Sequence, residues 1–182
     1  MSDIPLFVSR WTTGIVLFIA GIAAWSFGET YRMHEARLEA GVVNLLSPVK
    51  AVAQDGTAVV WTGMGTSDIM GFNITSACSS AALMGGFCVV TAILLVAWRS
   101  RTKAILFGAA IALTLILLTN LVRLSVVIGA TRVWGRAGFD WTHMYLGTIV
   151  TVVGLFVAAG AYLFLLMREP SGAPARRKAH RA

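Results

Sequence analysis

Three residues from distant parts of the chain, Cys78, Arg123 and His143, have side chains that together could carry out covalent catalysis. A thiolate is a nucleophile that attacks carbonyl carbon. An imidazole titrates near neutral pH and can take up and return the proton, whereas a guanidinium can stabilise the thiolate or the oxyanion. The set predicts thiol chemistry on a carbonyl group, with an acyl-enzyme that passes to water or to an amine.

Each of the three residues also has an ordinary structural explanation. A cysteine in an apolar segment often packs as an inert small residue, and an interfacial arginine or histidine can contact lipid headgroups. The local sequence favours chemistry instead. Thr75 or Ser76 can cap a helix that leaves Cys78 in its first turn, where the helix dipole favours an anion. Asn120 lies one turn before Arg123 on the same face, which favours a polar cavity.

The remaining cysteine and histidines do not fit such a site. Cys88 lies ten residues beyond Cys78, about 15 Å along a helix, which is beyond disulfide reach, and we expect it to pack. His34 is expected on a solvated helix face, and His180 lies in the basic tail. The sequence contains no metal-binding cluster and no phosphate-cradling loop, so no cofactor is expected.

The elements that must position these residues are membrane helices. The chain of 182 residues is 57% hydrophobic and 13% charged, with a mean hydropathy of +0.77, whereas soluble domains carry about 25% charged residues. Apolar runs near 20 residues predict transmembrane helices. We expect a mainly α, polytopic membrane protein, a four-helix transmembrane bundle with a small extracytoplasmic helix and β-hairpin element. The predicted spans are 11–28, 77–98, 104–130 and 142–167.

The predicted organisation is one membrane-embedded domain, residues 1–170, followed by a disordered basic cytoplasmic tail, residues 171–182. The first span could also be a cleaved signal peptide. One preceding cation, Arg10, and the lack of a small-x-small cleavage site favour an uncleaved anchor.

Helix geometry places the three candidate residues at one depth. Each residue is separated from a cation at the opposite end of its apolar run. Cys78 lies 21 residues from Arg99, Arg123 lies 20 residues from Lys103, and His143 lies 25 residues from Arg168. These separations correspond to about 31, 30 and 37 Å of helix, and a hydrocarbon core is about 30 Å thick. All three residues are therefore expected near the outer boundary of the membrane.

The outer segment, residues 29–76, is predicted to cover the helix ends. Its first part places Leu38, Val42, Leu45 and Leu46 on one helical face with charges elsewhere, which is typical of a helix on the membrane surface. Two β-prone runs flank Asp55-Gly56, a hairpin signal, and residues 68–75 can form another strand that leads into the cysteine.

The distribution of charge predicts the orientation and argues against nucleic acid as a partner. The net charge is +7, but the cations flank apolar runs, as the positive-inside rule requires. With both termini cytoplasmic, nine Lys and Arg lie inside and five outside, while six of the eight acidic residues lie outside. The candidate site then faces the outside of the membrane.

The motifs "ACSS" (77–80), "NLVR" (120–123) and "THMYLG" (142–147) resemble, in this order, those of the exosortase/archaeosortase family of membrane cysteine enzymes. The resemblance covers residues 40–165. It implies a catalytic Cys78, Arg123 and His143, supported by Asn120, Ser79 and Ser80. Two features depart from the family: Ser80 replaces the usual glycine, and the chain lacks the extra spans of longer members.

The resemblance also implies a function. The expected activity is cleavage of C-terminal sorting signals, with transpeptidation, at the outer face of a prokaryotic cytoplasmic membrane. The expected partners are membrane lipids and a protein substrate with a short C-terminal motif, a transmembrane helix and a basic cluster.

Other functional classes remain open. A non-catalytic membrane scaffold, or a protein that binds a lipid or small ligand, would use Arg123 to bind an anionic headgroup while Cys78 packs. A thiol–disulfide enzyme is disfavoured by the lack of a CxxC motif. A rhomboid-type serine protease is disfavoured because no serine motif accompanies the histidine.

Overall fold

The computed structural model describes residues 4–98 and 101–168, with residues 4–8 as backbone only. The predicted tail, 171–182, lies outside the described residues, as do Arg99 and His180. The chain is mainly helical with one small sheet. Its elements are α1 (Ile4–Ser26), α2 (Gly28–Leu46), β1 (Ala51–Ala53), β2 (Val59–Thr62), β3 (Met70–Asn73), α3 (Ala81–Ala97), α4 (Thr102–Trp141), a π-helical turn (Thr142–Leu146) and α5 (Gly147–Arg168).

Small residues allow the long helices to pack closely. α1 packs on α3, and α4 packs on both α3 and α5. A Cβ atom at Gly21 would lie 2.7 Å from the carbonyl oxygen of Gly85, and one at Gly154 would lie 2.1 Å from Thr119. Such small-residue crossings are typical of helix packing in membranes, where tight van der Waals contact replaces the hydrophobic effect.

Helices occur at all four predicted spans, but fewer than four are long and apolar enough by themselves to cross a membrane. Among the described residues, the continuous helical stretch Thr102–Arg168 meets this condition. α1 and α2 meet it only together, with a bend of 83° between them, and α3 is a shorter apolar helix of 17 residues. The structure therefore has one helix of sufficient length and apolarity, or up to two.

Helix α2 is amphipathic, but its charged residues are not all solvated. Leu38, Leu45 and Leu46 are exposed, so the predicted apolar face is directed away from the rest of the protein. The side of α2 that packs on the rest of the protein buries Glu35 and Glu39, together with small apolar residues. The prediction of a surface helix does not hold for these two carboxylates, which are buried rather than solvated.

The predicted hairpin forms and is extended by the predicted third strand. β1, β2 and β3 make an antiparallel sheet in that order, with Val60 of β2 opposite Ala53 on one side and Phe72 on the other. Gly56 has a φ of +74°, which suits glycine, in the turn between β1 and β2. α2 covers the sheet, because α2 and β2 contribute to one buried apolar cluster that also includes Leu124 and Ile128 of α4.

The connection between the third and fourth predicted spans is helical. α4 continues beyond the predicted end at 130 to Trp141, with a break at Gly135, where φ is +60° and ψ is −144°. The π-helical turn then leads into α5. Glycine can adopt this backbone conformation without a side-chain clash, so the helix redirects here while staying helical on both sides.

Candidate functional site

Cys78 lies in a turn before α3, which corrects the prediction that it occupies the first turn of the helix. α3 begins at Ala81, and the N–H of Cys78 donates to the carbonyl oxygen of Thr75 over 3.0 Å. The hydroxyl of Thr75 donates to Sγ of Cys78 over 3.4 Å, and Cys78 is 7% exposed. The sulfur is thus held by a turn rather than by helical backbone.

The anion at the N-terminus of α3 is the carboxylate of Glu35, not a thiolate. Its Oε1 accepts from the N–H of Ser80 over 3.0 Å and from the Ser80 hydroxyl over 2.7 Å. The hydroxyl of Ser79 donates to Oε2 over 2.5 Å and accepts from the N–H of Ala81 over 3.2 Å. A carboxylate placed here satisfies free N–H groups and interacts favourably with the helix dipole.

The third residue predicted to support the site, Asn120, also binds Glu35. Its Nδ2 donates to Oε1 over 3.0 Å, and Asn120 is buried outside the cavity that holds Cys78. The expectation that Asn120 faces a cavity shared with Arg123 is therefore wrong. Asn120, Ser79 and Ser80 instead join α2, α3 and α4 through one carboxylate.

Ser80 differs from the family pattern, but its backbone does not require glycine. Its φ of −76° and ψ of −7° lie in the ordinary right-handed region. Its hydroxyl also lies 2.9 Å from the hydroxyl of Tyr31. Serine at this position therefore supplies hydrogen bonds that a glycine would lack.

His143 approaches Cys78 from the π-helical turn. The sulfur lies 3.8 Å from Nδ1 and 3.9 Å from Nε2, so it is almost equally distant from the two ring nitrogens. The imidazole stacks on Phe139 with ring centroids 5.1 Å apart, and this contact fixes the plane of the ring. Contacts between a nucleophile and its base are often long in free enzymes and shorten when substrate binds. π-Helical turns often mark functional positions.

Arg123 reaches the same cavity across Gly147, the first residue of α5. A Cβ atom at Gly147 would lie 2.9 Å from Nε of Arg123, so the close approach requires glycine. Nε is buried and, among the described residues, has no hydrogen-bond partner. No carboxylate of the described chain forms an ion pair with Arg123. Arg123 therefore brings to the cavity a guanidinium that pairs with no carboxylate of the described chain, while its Nε is buried against Gly147.

The three predicted catalytic residues line one cavity of about 710 Å³. Its walls are β3 with the following turn on one side and the outer part of α4 with the π-helical turn on the other. Most of the lining is apolar, including Phe72, Ile74 and Val127. Pockets of this size that are mostly apolar, with a few polar groups, are typical of ligand sites.

Sequence reasoning missed Glu39, a buried acidic residue that also lines this cavity. Glu39 is 1% exposed, and its Oε1 accepts from the Ser125 hydroxyl over 2.7 Å, whereas Oε2 has no partner in the described part of the chain. Burial raises the pKa of Glu39 to about 7, the Ser125 hydrogen bond opposes this rise, and the charge of Glu35 adds to it. A sequence signal for this burial exists. Glu35 and Glu39 are four residues apart on α2, and each is followed by alanine, a pattern that could have indicated a buried pair.

Two of the residues that the sequence did not assign to the site, Cys88 and His34, are described by the structure. Cys78 and Cys88 are both free thiols, and Cys88 is not among the residues that line the cavity. His34 is exposed on α2.

The arrangement can support nucleophilic chemistry. A thiol lies beside an imidazole that can take its proton, in a cavity bordered by the guanidinium of Arg123, whose positive charge can stabilise negative charge on oxygen. No protein-family model matches the chain, and comparisons with curated proteins and with solved structures find no match. The family resemblance of the sequence motifs therefore stays a prediction.

Proposed function

We propose that the protein is a membrane-embedded cysteine peptidase and transpeptidase that cleaves C-terminal sorting signals of membrane-tethered proteins. The observation that carries this proposal is the meeting of Cys78, Arg123 and His143 around one cavity, with Sγ 3.8 Å from the imidazole. These residues come from three separate segments of the chain. A packing role for the cysteine alone gives no reason for this convergence.

The proposed reaction proceeds through a thioester. His143 takes the thiol proton, and Sγ of Cys78 forms a bond to the carbonyl carbon of the scissile peptide, which gives a tetrahedral oxyanion beside Arg123. The carbon–nitrogen bond then breaks as His143 gives its proton to the leaving amine. Water or another amine attacks the thioester and releases the thiol, with His143 again moving the proton.

The proposed membrane arrangement uses α1, α3, α4 and α5 as spans, with both termini on the cytoplasmic side. Its support is the exposure of large apolar side chains on these helices, such as Phe18, Ile93, Phe107 and Phe156, which are 48–75% exposed. Apolar surface of this extent requires a covering partner, and lipid is the one that suits helices of this composition. α2 and the sheet then lie at the outer surface, above the spans.

This arrangement suits a substrate with a motif, a transmembrane helix and a basic cluster. The helix and the inner charges hold the substrate in the membrane, so its motif lies at the outer interface. The exposed Leu38, Leu45 and Leu46 of α2 support placement of this helix at the same level, because they can enter the interface. Substrate motif and thiol would therefore meet at one depth.

The test compares three forms of the chain in cells that naturally produce it: wild type, Cys78→Ala and Cys88→Ala. Mass spectrometry of the membrane proteins measures the loss of C-terminal peptides. We expect unprocessed precursors with intact C-termini to accumulate with Cys78→Ala and not with Cys88→Ala. Equal processing in all three strains would exclude the thiol mechanism.

One observation favours a second candidate function. The guanidinium of Arg123, which lines the cavity and pairs with no carboxylate of the described chain, could bind an anionic lipid headgroup in a protein without catalytic activity. That function predicts normal processing with Cys78→Ala and loss of bound anionic lipid with Arg123→Gln. Lipid extracted from the two purified variants distinguishes the candidates.

A further inference from the structure

The strand β3 has one free edge. The sheet order is β1-β2-β3, so among the described residues β3 pairs only with β2. A free edge presents main-chain N–H and C=O groups in a row, and natural proteins usually cover it or interrupt it with proline or lysine. β3 has neither, since its sequence is Met-Gly-Phe-Asn.

The hydrogen-bonding phase shows which main-chain groups of β3 are free. The N–H of Ile74 donates to the carbonyl oxygen of Ala58, and the register of the two strands places Val60 opposite Phe72. In an antiparallel ladder every second residue bonds to the neighbouring strand. Met70, Phe72 and Ile74 therefore bond toward β2, which directs the N–H and C=O groups of Gly71 and Asn73 outward.

These outward groups lie at the candidate site. Residues 70–75 all line the cavity, and the chain reaches Cys78 three residues later. Gly71, Asn73 and Thr75 are exposed, so the edge is accessible. Among the described residues, no hydrogen bond from outside the sheet reaches the main-chain groups of Gly71 or Asn73.

The geometry points to an extended peptide that binds as a fourth strand on β3, with its carbonyl delivered to Cys78. The partial charges of the edge alternate with the period of a strand, and another extended main chain is the ligand that complements them. Alternate peptide side chains would then enter the apolar cavity. Substrate recognition would rest mainly on the main chain, with side-chain selectivity at every second residue. The cleavage of this peptide rests on the proposed function, whereas its binding does not.

The test measures alkylation of Cys78 in the purified full chain, in detergent micelles. The probe is acetyl-Val-Ala-Val-Ala chloromethyl ketone, in which the thiolate displaces chloride and forms a thioether. Four analogues carry one N-methyl group each, at successive amides. We expect N-methylation at alternate positions to slow alkylation by about two- to tenfold for each main-chain hydrogen bond lost, and methylation at the intervening positions to have little effect. Equal effects at neighbouring positions would overturn the proposal.

A matched pair of variants tests the protein side. Asn73→Pro removes an outward N–H without removing a ladder bond, and proline is tolerated at such an edge position. Asn73→Ala keeps this N–H. We expect the proline variant to be alkylated by the peptide probe about two- to tenfold more slowly than the alanine variant, and equal rates would overturn the proposal. Iodoacetamide, which has no strand to add, should react with the two variants at the same rate.

Iodoacetamide also separates failure of this proposal from failure of the proposed function. If it alkylates Cys78 but the peptide probes show no alternation, edge binding is wrong and thiol chemistry stands. If Cys78 does not react with either reagent, the proposed mechanism fails, and binding is measured by amide hydrogen exchange with acetyl-Val-Ala-Val-Ala amide. Protection of the N–H groups of Gly71 and Asn73 would support edge binding, and unchanged exchange would overturn it.

Discussion

Replacing Glu39 by glutamine should change the way the stability of the protein depends on pH. The carboxyl group is 1% exposed, and burial raises its pKa from 4.5 to about 7. The folded state therefore holds a proton that the unfolded state releases at lower pH. The contribution of Glu39 to the free energy of unfolding is largest below pH 4.5. It falls as the pH rises from 4.5 to about 7 and stays at the lower level above pH 7.

The size of this effect follows from the two pKa values. At about 1.4 kcal/mol for each pH unit, the full loss is about 3 kcal/mol, of which about 2–3 kcal/mol falls between pH 5 and pH 8. Glutamine does not titrate, and its Oε1 can still accept from the Ser125 hydroxyl. The melting temperature of Glu39→Gln minus that of wild type should therefore be larger at pH 8 than at pH 5. For a chain of this length, the expected increase is about 5–10 °C.

Thermal unfolding in detergent micelles at pH 5 and pH 8, followed by tryptophan fluorescence, measures this difference. Glu29→Gln is the matched control, since Glu29 is exposed on the same helix. Ser125→Ala should extend the loss of stability to higher pH, because the Ser125 hydrogen bond lowers the pKa of Glu39. A difference between Glu39→Gln and wild type that is the same at both pH values would refute the reasoning.

Three further substitutions test the site and its support. Arg123→Lys should reduce substrate processing at least tenfold, because an ammonium group cannot reproduce the donor geometry of guanidinium; undiminished processing would contradict a role at the oxyanion. Gly147→Ala should cause a similar loss in the same assay without unfolding, since its Cβ would lie 2.9 Å from Nε of Arg123, whereas Gly160→Ala, with nothing within 4 Å, should be neutral. Glu35→Ala should lower the melting temperature by about 6–15 °C, because it leaves several buried donors without an acceptor, at about 1–3 kcal/mol each. A melting temperature within 2 °C of wild type would contradict the last prediction.

The helices and strands could be predicted because their signals are local. Apolar runs predicted helices at all four positions, and Asp55-Gly56 between β-prone runs predicted the hairpin that forms. The predicted ends of the helices were less accurate. α3 begins at Ala81 rather than at 77, because Glu35, which lies far away in sequence, supplies the acceptor at its N-terminus.

The nearness of Cys78 and His143 was predicted in part by helix arithmetic. Counting residues gave a common depth but could not give a common side of the bundle. The contact depends on the break at Gly135 and on the π-helical turn, which together direct His143 back toward the sulfur. Neither feature has a local sequence signal strong enough to predict it.

The role of Asn120 was predicted wrongly, and that of Glu39 was missed, for the same reason. Periodicity shows which residues share a helix face, but it does not show which element covers that face. α2 turns by 83° from α1 and lies on α4, so two carboxylates that a surface helix would leave in water become buried.

By itself, the sequence determined the apolar helices, the small sheet, and which three residues could do thiol chemistry, because each depends on residue type and short-range spacing. Tertiary structure alone decided that these residues border one cavity, that Glu35 rather than a thiolate lies at the N-terminus of α3, and that Glu39 is buried beside the site. The physical reason is that burial and electrostatic environment arise from contacts between segments far apart in the chain.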